Sequence, residues 1–302
     1  MSAQHRGLRP TLTFHIKKKL AIKSVPPLSD IFSRGNYAMN SAETTFTLSK
    51  WYLDCVTDSG NVFIGYYLSM RYKRLRLNYG AVLSCVDNEV KQRTSKLPEK
   101  YSPQRESEQV EWQCPQLNVE GKWVSRSSSI DRVLLESPAG NIHWRCYQPG
   151  SRVTIKNAGL ESIVGLGYVE RLEITIKPWK LPIDELRWGR LVCKNDQVVW
   201  IEWRGSHPQV LIFHNGVLAT GATISKETIR TQEGLTVELD DHFTLREGKI
   251  GSTAVASLSA LTSISPLRFL QIHEHKWRSR GVLQKNGTVL GRGWAIHEVV
   301  RF

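Results

Sequence analysis

The chain has 302 residues, 40% of them hydrophobic and 23% charged, which excludes a collagen-like, disordered or disulfide-scaffold protein. The length allows two domains of about 150 residues, each large enough to bury a core, and no apolar run approaches the ~18 residues of a membrane-spanning helix. Lys+Arg 41 against Asp+Glu 28 gives a net charge of +13, which favours an anionic partner (nucleic acid, an acidic membrane surface or an anionic substrate) without choosing among them.

The chain begins with a basic stretch, with six Lys or Arg and no acid before residue 30. Lys17, Lys18 and Lys19 interrupt its apolar part, so it lacks the core of a signal peptide. It reads as a disordered basic arm over residues 1–40, with an organellar transit peptide as the alternative. The five cysteines, Cys55, Cys85, Cys114, Cys146 and Cys193, are irregularly placed and form no C-x-x-C pair. That argues against structural zinc and redox motifs and for a reduced, cytoplasmic setting.

From residue 47 the pattern is that of strands. Thr47–Val56, the turn Thr57-Asp58-Ser59-Gly60 and Asn61–Met70 form a hairpin signature. Val62, Ile64, Tyr66, Leu68 and Met70 alternate with their neighbours at period two, and so do Leu75, Leu77, Tyr79, Ala81 and Leu83. Residues 87–110 are charged and carry prolines, and read as a loop. Strand signals resume at Ser129–Glu136, Asn141–Tyr147, Arg152–Lys156 and Tyr168–Ile176. Lys177-Pro178-Trp179-Lys180-Leu181-Pro182-Ile183 breaks the ladder and marks a junction. The pattern then restarts with a hairpin at Leu186–Lys194 and Gln197–Trp203. Further strands are expected through Val210–His214, Val217–Ser225, Thr228–Thr231, Leu235–Leu239, His242–Arg246, Phe269–Lys276, Gly281–Lys285 and Arg292–Phe302. Thr253–Leu261 reads as a short helix or a strand.

The two halves resemble each other. One ends Gly165-Leu166-Gly167-Tyr168-Val169-Glu170, the other Gly291-Arg292-Gly293-Trp294 followed by an acid-bearing strand with Glu298. Asp131–Ile155 can be laid over Lys226–Ile250. Many short antiparallel strands in each half favour barrels, because closure removes sheet edges. The expectation is all-β: two lipocalin-like barrels side by side, over residues 41–178 and 179–302.

Lys50-Trp51-Tyr52-Leu53-Asp54, Gly140-Asn141-Ile142-His143-Trp144, Gly165-Leu166-Gly167-Tyr168-Val169-Glu170, Leu186-Arg187-Trp188-Gly189-Arg190 and Trp200-Ile201-Glu202-Trp203 resemble the double-lipocalin family. That family contains hydroxyneurosporene synthase (a carotenoid hydratase), tocopherol-cyclase-like proteins and fungal Diels-Alderase relatives. The resemblance covers roughly residues 45–302, and its short aromatic motifs speak to fold more than to activity. It implies a cofactor-free, metal-free protein with an apolar pocket in or between the barrels. It also implies that Asp54, matching the acid of a Trp-x-x-Asp pattern, protonates an alkene.

An acid on an apolar strand face needs either a partner or a function. Asp54 fits a proton donor kept neutral by its surroundings, or an acid paired with Arg71 or Arg74. Glu170 shares a face with Tyr168 and Leu172, with Arg187 and Arg190 as candidate partners; Glu202 alternates with Val198 and Trp200. These three are the candidate catalytic acids. Trp51, Tyr52, Tyr67, Tyr168, Trp188, Trp200, Trp203 and Trp294 are the candidate substrate-binding set, since aromatic faces stabilise cations and equally fill barrel interiors. His273 and His275 could begin a metal site or lie exposed on a strand. Arg71, Lys73, Arg74 and Arg76 form a solvated rim or a contact with an anionic membrane, and no motif supports nucleic acid. The expected function is acid-assisted cyclisation, hydration or isomerisation of an isoprenoid or polyketide-derived molecule. The alternative is a non-catalytic carrier of a hydrophobic ligand.

Overall fold

Period-two alternation runs along most of the chain, and strands follow it. The computed structural model describes residues 46–157, 160–249 and 272–302, all within one compact unit, Thr44–Phe302. The described residues contain no α-helix, and no helix among them is long and apolar enough to cross a membrane. The basic stretch before residue 46 and Thr253–Leu261 lie outside the described residues.

The first half contains β1 (Phe46–Val56), β2 (Val62–Tyr72), β3 (Leu75–Val86), β4 (Glu89–Lys96), β5 (Gln104–Glu106), β6 (Gln109–Cys114), β7 (Val119–Ser125), β8 (Ile130–Ser137), β9 (Gly140–Asn157) and β10 (Leu160–Ile174). Their spatial order is β4-β3-β2-β1-β10-β9-β7-β6-β5, with β8 beside β9. The first strand therefore pairs with the last, and the sheet curls round. Its seam lies between β4 and β5, where side chains close what hydrogen bonds do not. Leu97 and Leu117 both crowd Gly80, and the 3-10 turn Pro115–Leu117 packs on β3 and β4.

The second half contains β11 (Ile183–Cys193), β12 (Gln197–Gly205), β13 (Gln209–His214), β14 (Val217–Ala219), β15 (Ala222–Ile224), β16 (Thr228–Thr231), β17 (Leu235–Lys249), β18 (His273–Lys285) and β19 (Thr288–Arg301). Their order, β14-β13-β12-β11-β19-β18-β17-β16-β15, is that of the first sheet. The Gly-x-Gly-aromatic motifs occupy matching places: Cys55 faces Gly167, and Cys193 faces Gly293. A Cβ on Gly167 would strike the Asp54 carbonyl oxygen, and one on Gly293 the Val192 carbonyl oxygen. The repeat is real, but the overlay of Asp131–Ile155 on Lys226–Ile250 is out of step. In space β9 corresponds to β18, while β7 and β8 together correspond to β17, whose register shifts between Asp240 and Phe243 where the first half breaks the strand.

Residues 87–110 are not a loop. They form β4, β5 and the start of β6. β4 is exposed along almost its whole length, so no apolar alternation announces it, and its hydrogen bonds to β3 carry it. Several expected neighbours merge: Asn141–Tyr147 and Arg152–Lys156 are one 18-residue strand, β9.

Side-chain alternation sorts β1 between two environments. Trp51, Leu53 and Cys55 enter the core of the first barrel, with Phe63, Trp112 and Trp123. Tyr52 and Val56 point outward, yet join a second core with Trp188, Val199, Ile201, Phe213 and Ile296 of the other half. All residues of Trp51–Val56 and of Trp188–Cys193 are buried. The outer faces of β1, β10, β11 and β19 thus form a dry layer between the barrels, while Leu191, Val198, Trp200 and Val237 fill the second barrel.

Trp123 is fully buried and its Nε1 donates to the Asp54 carbonyl at 2.8 Å. Trp123→Ala is expected to lower stability by about 3–5 kcal/mol in urea unfolding. Val164→Ala, at a 63% exposed site, should stay within about 0.5 kcal/mol of the parent.

Candidate functional site

The β1–β10 register sets Tyr52 opposite Glu170 and Asp54 opposite Tyr168, and alternation turns all four into the layer between the barrels. Asp54 is 0% exposed and Arg190 of β11 is 1% exposed. Arg190 Nη2 donates to Asp54 Oδ1 at 2.7 Å and Nε to Oδ2 at 3.0 Å, and Tyr52 Oη adds a bond to Oδ2 at 3.0 Å. Burial pushes the Asp54 carboxyl up, against the pull of Arg190 and Tyr52. Burial also works against the Arg190 charge, but Asp54 outweighs it and holds the guanidinium charged. Two charge-assisted bonds in one plane define an ion pair. The partner of Asp54 is therefore Arg190, not Arg71 or Arg74, which stand on the exposed β2–β3 hairpin with Lys73 and Arg76.

Glu170 is bound differently. Trp144 Nε1 and Tyr168 Oη each donate to its Oε2 at 2.6 Å, and neither Arg187 nor Arg190 pairs with it. Burial raises its pKa, against the pull of Lys50 and of those two hydrogen bonds. Glu202 pairs with Arg204 at 3.0 Å and with Arg187 at 3.6 Å. Of the three candidate acids, Asp54 and Glu202 sit in ion pairs, and Glu170 alone does not.

Around Glu298, an acid the sequence did mark, the layer also holds Lys276, Glu274 and Arg246, which no sequence pattern advertised. Lys276 of β18 pairs with Glu298 and, at 3.5 Å, with Glu274, which Arg246 also reaches at 3.3 Å. Burial alone would raise Glu274, but Lys276 and Arg246 hold it down at about 2. Lys276 lies over the rings of Tyr52 at 5.3 Å and Trp188 at 5.5 Å. In the sequence, His273 to Arg278 alternates like a solvated strand; only packing against the first barrel turns Glu274, Lys276 and Arg278 inward.

The eight expected binding aromatics separate. Tyr52, Tyr168 and Trp188 form one cluster, with ring centroids 5.0–6.0 Å apart, and Tyr66 and Trp144 extend it. Trp51 and Tyr67 belong to the first barrel's core, Trp200 to the second's, and Trp203 to a separate cluster with Phe46 and Ile183. Trp294 stands beneath Arg278 and Arg280, 4.9 and 4.5 Å from their guanidinium carbons.

A cavity of about 330 Å³ opens in the second half, lined by Trp188, Trp200, Trp277, His275 and His297 among others. His273 and His275 line it rather than lying free on the surface, and among the described residues no three His, Cys, Asp or Glu side chains are placed to hold a metal ion. Behind it, Ser279 Oγ bridges His297 Nε2 at 2.8 Å and His242 Nδ1 at 2.6 Å. Burial, His242 and Lys276 push His297 down to about 3. A larger cleft of about 680 Å³ lies between the halves and reaches Arg190 and Trp294.

No protein-family model and no curated protein matches the chain. Solved structures do. An AttH-like protein of Nitrosomonas europaea superposes with a TM-score of 0.51 at 8% identity, over 94% of this chain and 98% of that one. Kievitone hydratase from Nectria haematococca gives 0.49 at 10% identity, over 85% and 88% of the two chains. CghA with Sch210972 gives 0.47 at 8%, over 86% and 89%. At such identities the likeness shows the fold alone. That fold is two antiparallel lipocalin-like barrels, the architecture of the double-lipocalin proteins that the motifs resemble.

Removing one partner of a buried pair strands the other charge. Arg190→Met is expected to cost about 3–5 kcal/mol, and adding Asp54→Asn to recover much of it, measured together with Asp54→Asn alone as a double-mutant cycle in urea. Glu170 is, like Asp54, a carboxyl raised by burial. Its folded pKa lies above the unfolded value of about 4.3, so keeping it ionised costs stability as pH rises past that value. Glu170→Gln should therefore raise Tm at pH 8, by an amount that shrinks toward pH 4.

Proposed function

We propose that the protein is a cofactor-independent enzyme acting on an apolar, isoprenoid or polyketide-derived small molecule by acid-assisted cyclisation, hydration or isomerisation. The observation that carries this reading is Glu170, a carboxyl raised by burial in an aromatic wall and free of any ion pair among the described residues. A carboxyl of that kind keeps its proton closer to neutral pH. Both bonds it accepts end on Oε2, so Oε1 is the oxygen that passes the proton on. The π electrons of an alkene, or an epoxide oxygen, take that proton. The cation that forms faces Tyr52, Tyr168 and Trp188; it takes up water, adds to an internal alkene or does neither, and in each case the resulting cation ends by losing a proton to the Glu170 carboxylate, which restores the acid. Asp54, neutralised by Arg190, holds the Tyr52 ring in this wall. Tyr66 Oη and Trp188 Nε1 are buried without a hydrogen-bond partner among the described residues, which supports a polar atom of a ligand beside them.

A hydrophobic-ligand carrier is the second reading. It is favoured by the two cavities described above, whose walls do not include Glu170. The experiment is to identify by native mass spectrometry the small molecule that co-purifies with the protein, then to assay its conversion. An enzyme is expected to turn it over with a rate that falls as pH rises through the Glu170 pKa. Glu170→Gln should keep binding and lose about 10²–10⁴-fold in kcat. Binding without conversion, unchanged in Glu170→Gln, would establish the carrier.

A further inference from the structure

We propose that the cleft between the two barrels binds a multiply charged oxyanion, a phosphate or diphosphate group on a small molecule with an apolar body. Both halves build it, with Arg126 and Arg152 from the first, and Lys194, Arg280 and Arg292 from the second. Arg190 reaches the wall as well, but Asp54 neutralises it. The acids on the wall are Asp58 and Asp240, so five cations face two carboxylates, an excess of three. Arg280 also meets Asp241 at 3.4 Å, at the cleft's solvent edge, which leaves an excess of at least two. Among the described residues no carboxylate pairs with Arg126, Arg152, Lys194 or Arg292.

Two of the cations, Arg126 and Arg280, also rest on groups that carry no charge. The Arg126 guanidinium crosses from the first half to the second and donates to the main-chain carbonyls of Cys193, at 3.3 Å, and Lys194. Burial and then the nearby Arg152 both disfavour its charged form, an arrangement an anion between them would relieve. Arg280 lies over Trp294, whose Nε1 donates to the Asp58 carbonyl at 3.3 Å. A single carboxylate would neutralise one of the surplus charges. A phosphate group carries about two near neutral pH, and a diphosphate more. Val56, Leu166, Val192 and Val282 supply an apolar wall beside the cations. Glu170 does not line the cleft, so this inference stands or falls apart from the proton-donor reading.

The test is isothermal titration calorimetry of the full chain with sodium pyrophosphate, inorganic phosphate and phosphatidic-acid vesicles. Pyrophosphate is expected to bind 1:1, more weakly as salt rises. Arg152→Gln with Arg292→Gln should weaken it by about tenfold or more per side chain. Both side chains are exposed, so Tm should hold; Lys194→Gln is the second variant if the double one unfolds. Arg71→Gln with Arg74→Gln, on the hairpin, and Glu170→Gln should bind as the parent does. Pyrophosphate binding without vesicle binding assigns the oxyanion to a free small molecule; binding of both, lost in the same variants, assigns it to a lipid headgroup. The proposal is overturned by absence of saturable pyrophosphate binding, by binding to vesicles alone, or by an equal loss in the hairpin variant.

Discussion

The outer face of β1 is buried, and the rest of the structure follows from that constraint. A barrel strand ordinarily turns one face to the core and the other to water. Here both faces of Trp51–Val56 and of Trp188–Cys193 are dry, because each barrel uses the outside of its first and last strands as the other's wall. Any charged side chain at an outward position must then find a partner within that buried layer. The Asp54–Arg190 pair does this across the two barrels in bidentate form, and Glu274, Lys276, Arg246 and Glu298 do it as a chain within the second barrel. Buried pairs of this kind seldom add net stability over apolar packing, but losing one partner is expensive. The Asp54–Arg190 pair joins β1 of one barrel to β11 of the other.

Within that layer the exception is the informative group. Neutralised carboxylates have little chemistry to offer, whereas Glu170 makes no ion pair among the described residues and accepts its hydrogen bonds from an indole N–H and a phenol O–H. Neutral donors favour its ionised form less than a guanidinium would, and burial pulls the other way. The same layer thus holds Glu274, held down by Lys276 and Arg246, and Glu170, raised by burial, sorted by their partners rather than by their depth.

The repeat explains why the layer is asymmetric. With Cys55 matched to Cys193 by their facing glycines, Asp54 corresponds to Val192, Tyr52 to Arg190, Lys50 to Trp188 and Glu170 to Ile296. At these matched positions one half contributes two carboxylates, a phenol and an ammonium, and the other a guanidinium, an indole and two aliphatic side chains. Each barrel repeats the same circular strand order with its own core, and the differences gather on the surface they share. The basic cleft at the edge of that surface is built from both halves for the same reason.

Much of the fold was legible in the residues themselves. Period-two alternation marked β2 and β3, hairpin signatures marked β1 and β11, the Lys177–Ile183 break fell between the sheets, and the paired Gly-x-Gly motifs identified equivalent strands, since only glycine tolerates a neighbouring carbonyl so near. β4 was invisible because an exposed edge strand carries no apolar alternation. The candidate acids were legible as acids on apolar faces, but not their partners: alternation says that Asp54 and Trp51 face opposite ways, and does not say what covers either face. That Arg190 reaches Asp54 across 136 residues, that Trp144 meets Glu170, and that the charged strand His273–Arg278 turns three cations and acids inward depend on which faces of the two barrels come together. Local sequence determined the strands and their two-faced pattern. Tertiary structure decided which second face would be dry, because burial of an outer face is a property of the opposing surface and not of the strand that carries it.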